Sequence, residues 1–323
     1  MNSQLREIFK KAVEKRASDI YFLPKKDSYT ISYATQGFHL KQMSFQFEIV
    51  RQWLNYLKFK ANMALSEHRR PQLGSWIYEA GKEKIFCRLS TVGDFLDNES
   101  LVVRLIYGQK EEKAGYFFSD QWTKIMQACN KRGLVLFAGP MGSGKTTSMY
   151  QFARQMKNKQ VLCIEDPIEI HEPNFLQLQV NEKAEMTYSE LLKVALRHHP
   201  DAFIIGEIRD EKTAQAVIKA ALSGHLIFST VHAQDAGGVI TRLQNLGVSK
   251  DEILQAVQMV SYQRLLPTID GNSKVLFDQI DNLEIRKGNY CLLRMTEEWS
   301  ERLEICVKNK WISNETKKQF SKG

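Results

Sequence analysis

The chain has 323 residues, 43% of them hydrophobic and 25% charged, with a formal net charge of +8. That length allows two or three domains with real cores, and the balance is that of an ordinary folded protein. No apolar run approaches a bilayer span, and Met1 to Glu7 lacks the apolar core of a signal peptide, so a cytoplasmic protein is expected. The five cysteines, Cys87, Cys129, Cys163, Cys291 and Cys306, are scattered without a CxxC pair. This argues against a disulfide framework and against structural zinc. Lysine and arginine are spread along the chain with no DNA-reading signature, so direct DNA binding is not expected, and the charge suits an anionic membrane surface equally well.

Residues 1–106 read as one small α/β domain. Leu5, Ile8, Phe9, Ala12 and Val13 stand at helical spacing within Gln4–Lys15. Asp19–Leu23 reads as a strand stopped by Pro24, and Tyr29, Ile31 and Tyr33 alternate in a second strand ending near Gly37. Ile49, Val50, Trp53, Leu54 and Leu57 mark a second helix. Ser75–Glu79 and Lys84–Thr91 read as a hairpin about Ala80-Gly81-Lys82, and Leu101–Ile106 as a last strand. Arg88 and Arg104 lie within these strands and are expected to project from an edge or one face. Residues 107–115, polar and bracketed by glycines, read as an interdomain linker.

Residues 116–290 alternate strands and helices. A helix over Ser119–Lys131 precedes the buried run Leu134–Ala138, and Val161–Ile164, Phe203–Ile205 and Leu226–Phe228 are further short apolar runs. Helices are expected over Thr187–Arg197, opened by Thr187 and Glu190 at capping-box spacing, and over Asp210–Ser223. Ser249 and Glu252 form another capping box, opening a helix towards Leu266. More strands follow over 270–290, with a turn at Asp270-Gly271-Asn272, and residues 291–323 suggest a basic helical segment. This alternation predicts an α/β fold with a mainly parallel sheet covered on both sides.

Between the strand ending at Ala138 and a helix beginning near Thr147 stands Gly139-Pro140-Met141-Gly142-Ser143-Gly144-Lys145-Thr146. It satisfies the Walker A pattern in every fixed position and in the strand–loop–helix context the pattern requires. Glycines let consecutive N–H groups turn inward around phosphate oxygens, and the helix N-terminus adds its dipole. Lys145 can reach the terminal phosphates and Thr146 can place its hydroxyl on Mg²⁺. Residues 139–147 are therefore the expected nucleotide-binding set, Thr147 included. Glu165 and Glu207 end predicted strands on the side where such sheets bind ligands. A carboxylate there can polarise an attacking water or hold the water shell of Mg²⁺, which makes Thr146 and Glu207 the candidate metal-holding pair.

These motifs together resemble the secretion "traffic" ATPases of the type II secretion and type IV pilus group. Glu165-Asp166-Pro167-Ile168-Glu169 resembles the family's Asp box, and Gly206–Asp210 its Walker B, with glycine where an aspartate is usual. Gly224–His232 resembles the His box, and Leu196–Asp201 the LRQDPD stretch. Ala17–Phe22, Leu65–Gly74, Arg88–Thr91 and Val103–Leu105 resemble motifs of the N-terminal domain, so the resemblance spans roughly residues 16–266. It implies a PAS-like N-terminal domain joined to a RecA-like ATPase, assembled as a homohexamer that hydrolyses ATP with Mg²⁺. It implies roles for Arg88 and Arg104 as arginines that reach the phosphates, for Glu207 as the acid acting on water and Mg²⁺, and for Glu165 as a second acid. His225 and His232 would sense nucleotide state, and Arg197 and Arg209 would lie near the subunit interface. The implied partners are a polytopic membrane platform protein and, indirectly, pilin or pseudopilin subunits, which puts the protein at the inner face of the membrane.

The long N-terminal extension and four-cysteine zinc module of many members are expected to be missing. A short chain expected to hold no zinc most resembles the competence-pilus assembly ATPases of Gram-positive bacteria. The alternatives are a retraction motor of the same family, a nucleotide-gated scaffold and a DNA-translocating ATPase.

Overall fold

The computed structural model describes residues 2–35, 38–81, 83–107, 115–288 and 295–323. The chain divides into two compact units, residues 1–110 and 111–323. Most of the expected linker, residues 108–114, lies outside the described residues, as do Gln36, Gly37, Lys82 and Cys291.

Unit 1 contains α1 (Ser3–Glu14), β1 (Asp19–Pro24), β2 (Tyr29–Thr35), β3 (Phe38–Phe45), α2 (Phe47–Lys60), β4 (Gln72–Ala80), β5 (Glu83–Gly93) and β6 (Glu99–Ile106). Its antiparallel sheet has the order β3-β2-β1-β6-β5-β4. Leu5, Ile8, Phe9 and Ala12 of α1 and Val50, Trp53, Leu54 and Leu57 of α2 are buried in one cluster with Ile20, Phe22, Cys87, Leu89 and Val103. Since side chains alternate along a strand, the neighbours of these positions form the opposite face. There Arg88 stands directly across from Arg104, and Arg104 across from Asp19. Like charges in direct register repel; the buried Asp19 carboxylate accepts from Arg104 Nε at 2.9 Å and offsets this. Strand β3 was not expected from the sequence. Its apolar positions shift from Phe38 and Leu40 to Met43 and Phe45, and its pairing with β2 changes register between Ile31 and Tyr33. A bulge of this kind breaks the period of two that identifies a strand.

Unit 2 runs β7 (Gly115–Tyr116), α3 (Ser119–Cys129), β8 (Gly133–Ala138), α4 (Lys145–Arg154), β9 (Val161–Glu165), β10 (Leu176–Gln179), α5 (Tyr188–Ala195), β11 (Ala202–Ile205), α6 (Glu211–Leu222), β12 (Leu226–Val231), α7 (Ala236–Asn245) and α8 (Lys250–Ala256). It continues with β13 (Val257–Pro267), β14 (Ser273–Asp281), α9 (Asn282–Lys287), α10 (Glu297–Lys308) and α11 (Asn314–Phe320). The sheet order is β10-β9-β11-β12-β8-β13-β14-β7, parallel throughout except for the β13–β14 pair. Apolar clusters cover both faces, and α10 and α11 bury Trp299, Leu303 and Phe320 against Phe117, Phe118, Leu266 and Leu276.

The helix expected from Ser249 towards Leu266 is corrected by the structure. Its capping box forms, with Ser249 and Glu252 bonded reciprocally, but the helix stops at Ala256. Val257–Pro267 is a strand held between β8 and β14. Both its faces are covered over Met259–Gln263, so it lacks the alternation that separates a strand from a buried helix. At α5 only half of the expected capping box forms. Thr187 accepts from the Glu190 N–H, while the Glu190 side chain pairs with Lys193.

Candidate active site

Every residue of β8 is buried, and the strand delivers residues 139–144 at its C-terminal end. Gly139, Gly142 and Gly144 have φ of +137°, +76° and +84°. These conformations are costly for any residue with a Cβ. A Cβ on Gly139 would also lie 2.4 Å from the Gln263 carbonyl oxygen. Gln263, buried on β13, donates from Nε2 to the Ser143 carbonyl at 2.5 Å and so fixes the loop from below. Pro140, Met141 and Gly142 form its exposed tip, and Thr147 is partly covered on the first turn of α4. The Lys145 ammonium donates to the Gly139 and Pro140 carbonyl oxygens, each at 2.9 Å. Burial holds its pKa below the ordinary lysine value, against the opposing pull of Glu169 and Glu207.

Three carboxylates converge beside the loop. Glu165 ends β9 and is buried; Tyr150 on α4 donates to its Oε1 at 2.7 Å, and Gln177 Nε2 donates to the Tyr150 hydroxyl at 2.7 Å. Desolvation pushes the Glu165 carboxyl up to about 7. Glu169 holds the Thr146 hydroxyl at 2.8 Å through Oε2. Sequence reasoning did not single out Glu169; the signal was its place in the same acidic loop as Glu165. Glu207 follows β11 and pairs with Arg209. His232 Nε2 is 3.5 Å from Glu207 Oε2, a buried atom that accepts no hydrogen bond among the described residues. Gly206 explains itself sterically. A Cβ there would come within 3.3 Å of Glu165 Cα, where the two acid-bearing strand ends meet.

Strand β12 lies between β8 and β11, so His232, just past its C-terminal end, is delivered between the loop and Glu207. His225 precedes β12 at the other end of the sheet. Its ring packs on Phe203, and its Nδ1 is 3.2 Å from the Ala220 carbonyl oxygen. The six residues of β12, seven residue steps, separate the two histidines by about 23 Å, so the structure does not bring His225 to the loop. Arg197 is exposed on the turn after α5, Arg209 is 60% exposed while bonded to Glu207, and Arg88 and Arg104 belong to unit 1. The described cysteines, Cys87, Cys129, Cys163 and Cys306, are buried thiols with pKa raised by desolvation.

The buried Glu165 carries a pH signature. A carboxyl with an ordinary value of 4.5 that sits near 7 in the fold binds protons more readily folded than unfolded. Its contribution to stability is therefore greatest below about 4.5 and is lost as pH rises through about 7. Glu165→Gln, neutral at every pH, should raise the melting temperature relative to wild type more at pH 8 than at pH 5. The difference between the two pH values should be of order 2–3 kcal/mol. Equal shifts at both pH values would show that the carboxyl titrates normally.

Residues 1–310 match the family described as "Type II/IV secretion system protein", and the chain belongs to that family. It is 40% identical over 309 residues to competence protein ComGA of Streptococcus pneumoniae, covering 95% of this chain and 94% of that one. It is 34% identical over 281 residues to the type IV pilus assembly ATPase TfpB of Acinetobacter baylyi, covering 83% of this chain and 47% of that longer one. In fold it is similar to the Legionella pneumophila ATPase DotB, with a TM-score of 0.75 at 19% identity over 98% of this chain and 95% of that one. The likeness to competence proteins of Gram-positive bacteria agrees with the subgroup that the sequence resembles.

Proposed function

We propose that this chain is a Mg²⁺-dependent ATP hydrolase, assembled as a homohexamer, that drives assembly of a pilus or pseudopilus for competence DNA uptake or secretion. One observation carries the reading. Lys145, Thr146, Glu165, Glu169 and Glu207 converge at the C-terminal ends of parallel strands, in a chain similar along almost its whole length to a competence protein.

The donor set suits Mg²⁺: a hydroxyl held by a carboxylate, and a buried Glu207 oxygen with no hydrogen bond among the described residues. Mg²⁺ bound with nucleotide takes one or two protein oxygens and the rest from phosphates and water, so no dedicated protein cage is needed. Thr146 and Glu207 would hold it, Glu207 partly through water. When bound, the ion neutralises charge on the terminal phosphates. The chain does the rest. Backbone N–H groups of residues 139–146 bind the phosphates, and Lys145 places a point charge on them. Glu207 orients the attacking water and accepts its proton, with Arg209 and His232 fixing the carboxylate. Glu165, buried behind it, keeps the second strand end in place.

Arg88 and Arg104 supply the cation that phosphoryl transfer needs at the transition state, and Asp19 restrains Arg104 until it is used. In a ring they act on the nucleotide of the same or a neighbouring subunit. No helix among the described residues is long and apolar enough to cross a membrane. In this reading the motor works from the inner membrane face on a polytopic platform protein, and on pilins through it.

Arg88→Ala and Arg104→Ala should each keep most ATP affinity and lower turnover by roughly 10³–10⁵, the range for a supplied arginine. Specific activity of the wild type should rise with concentration as the ring forms. A fully active monomer at all concentrations, or normal turnover in both variants, would rule out this arrangement. Deleting the gene should abolish surface pili together with transformation, whereas loss of a retraction motor would leave pili in place.

A further inference from the structure

Tyr116 is the second residue of β7, where the chain enters unit 2. Its ring lies among aromatic neighbours, with centroids 4.8 Å from Trp122 and 5.7 Å from Phe277. Its hydroxyl leaves that apolar set. It donates to Gln151 Oε1 and lies 3.3 Å from Ser148 Oγ. Both partners belong to α4, three residues apart and hence on one face. Ser148 is fully buried, and its N–H donates to the Gly144 carbonyl at 2.9 Å. The helical turn that presents Lys145 and Thr146 is thus bonded to the strand by which the chain arrives from unit 1.

Beyond this aromatic packing, the backbone pairing of β7 is short. The strand pairs with β14 through Gly115–Lys274 and Tyr116–Val275, extended by the Phe117 N–H donating to Val275 O at 3.1 Å. The Tyr116–Ser148 separation of 3.3 Å is about half an ångström longer than a relaxed O–H···O bond. A movement of α4 of that size makes or breaks it.

We propose that Tyr116 is a positioning residue that acts through α4, carrying the state of the phosphate loop to β7 at the entry to the ATPase unit. This rests on reading residues 139–146 as the ATP site. When the loop closes on phosphates, the first turn of α4 moves with it. Ser148 and Gln151 then draw on the Tyr116 hydroxyl, and β7 is held more firmly against β14.

The test is amide hydrogen exchange on the full-length protein, with and without a slowly hydrolysed ATP analogue and Mg²⁺, read over Gly115–Phe118 and over Ser148–Phe152. In the wild type the nucleotide should slow exchange at both segments. Tyr116→Phe keeps the ring and its packing. It should bind the analogue within about threefold of wild type, slow only at Ser148–Phe152, and lose about tenfold in kcat with KM little changed. Gln151→Met, which removes the acceptor from the helix side, should do the same, and the double variant should be no worse than either alone. Undiminished nucleotide-dependent slowing at Gly115–Phe118 in Tyr116→Phe overturns the proposal. Nucleotide binding by the wild type without any change at Gly115–Phe118 also overturns it, while leaving the ATP site intact. Failure of the wild type to bind the analogue at all removes the ATP-site reading itself.

Discussion

Lys145→Ala should abolish measurable ATP binding, and hydrolysis with it. Lys145 is the single positive side chain in residues 139–147. Its ammonium already lies inside the loop, on the Gly139 and Pro140 carbonyls. A charged hydrogen bond contributes roughly 1.5–3 kcal/mol. Losing two such contacts to phosphate oxygens corresponds to an affinity drop of roughly 10²–10⁴. Burial lowers the lysine pKa, and Glu169 and Glu207 counter that by favouring the charged form. Titration with a fluorescent ATP analogue would measure the loss, and tight binding by the variant would mean that the loop does not cradle the nucleotide.

The second large effect is expected at Glu207, with the opposite signature. Glu207→Gln keeps the shape of the side chain but removes its charge and basicity. ATP should still bind, because the loop and Lys145 are untouched, while turnover falls by roughly 10²–10⁴, the range for losing a general base. The buried Oε2 beside His232 accepts no hydrogen bond among the described residues, which leaves its acceptor capacity unused there. Arg209 would lose its ion-pair partner, so Arg209→Ala is the control that separates disturbed pairing from lost base. Wild-type turnover in purified Glu207→Gln protein would move the role elsewhere, with Glu169 the first place to look.

The geometry of the glycine loop 139–144 was legible because its backbone dictates its sequence. The positive φ of Gly139, Gly142 and Gly144 leaves little choice of residue, and the fully apolar β8 announces the strand before it. Glu165 and Glu207 were legible because each ends an apolar run. What escaped were contacts made by strands distant in sequence. Gln263 supports the loop from a segment that the sequence presents as the tail of a helix, and Glu169 reaches Thr146 only after its loop folds back over α4. His225 and His232 look equivalent in one short motif, yet a strand places them at opposite ends of the sheet. Spacing along a chain gives the distance between two residues but not the end of the sheet each one reaches.

The two sheets also differ at their borders. The eight-stranded sheet finishes on four-residue β10 and two-residue β7, too short to template a further chain. The six-stranded sheet finishes on eight-residue β3 and nine-residue β4, and β4 exposes Leu73 and Ile77. Long exposed edge strands are where aggregates and domain-swapped pairs begin, and at the start of β4 Gln72 is bonded to Ala64 and Glu67. Edge protection is therefore built differently in the two sheets: short end strands limit pairing at the borders of the carboxy-terminal one, while in the amino-terminal one it falls to the segment bonded to Gln72.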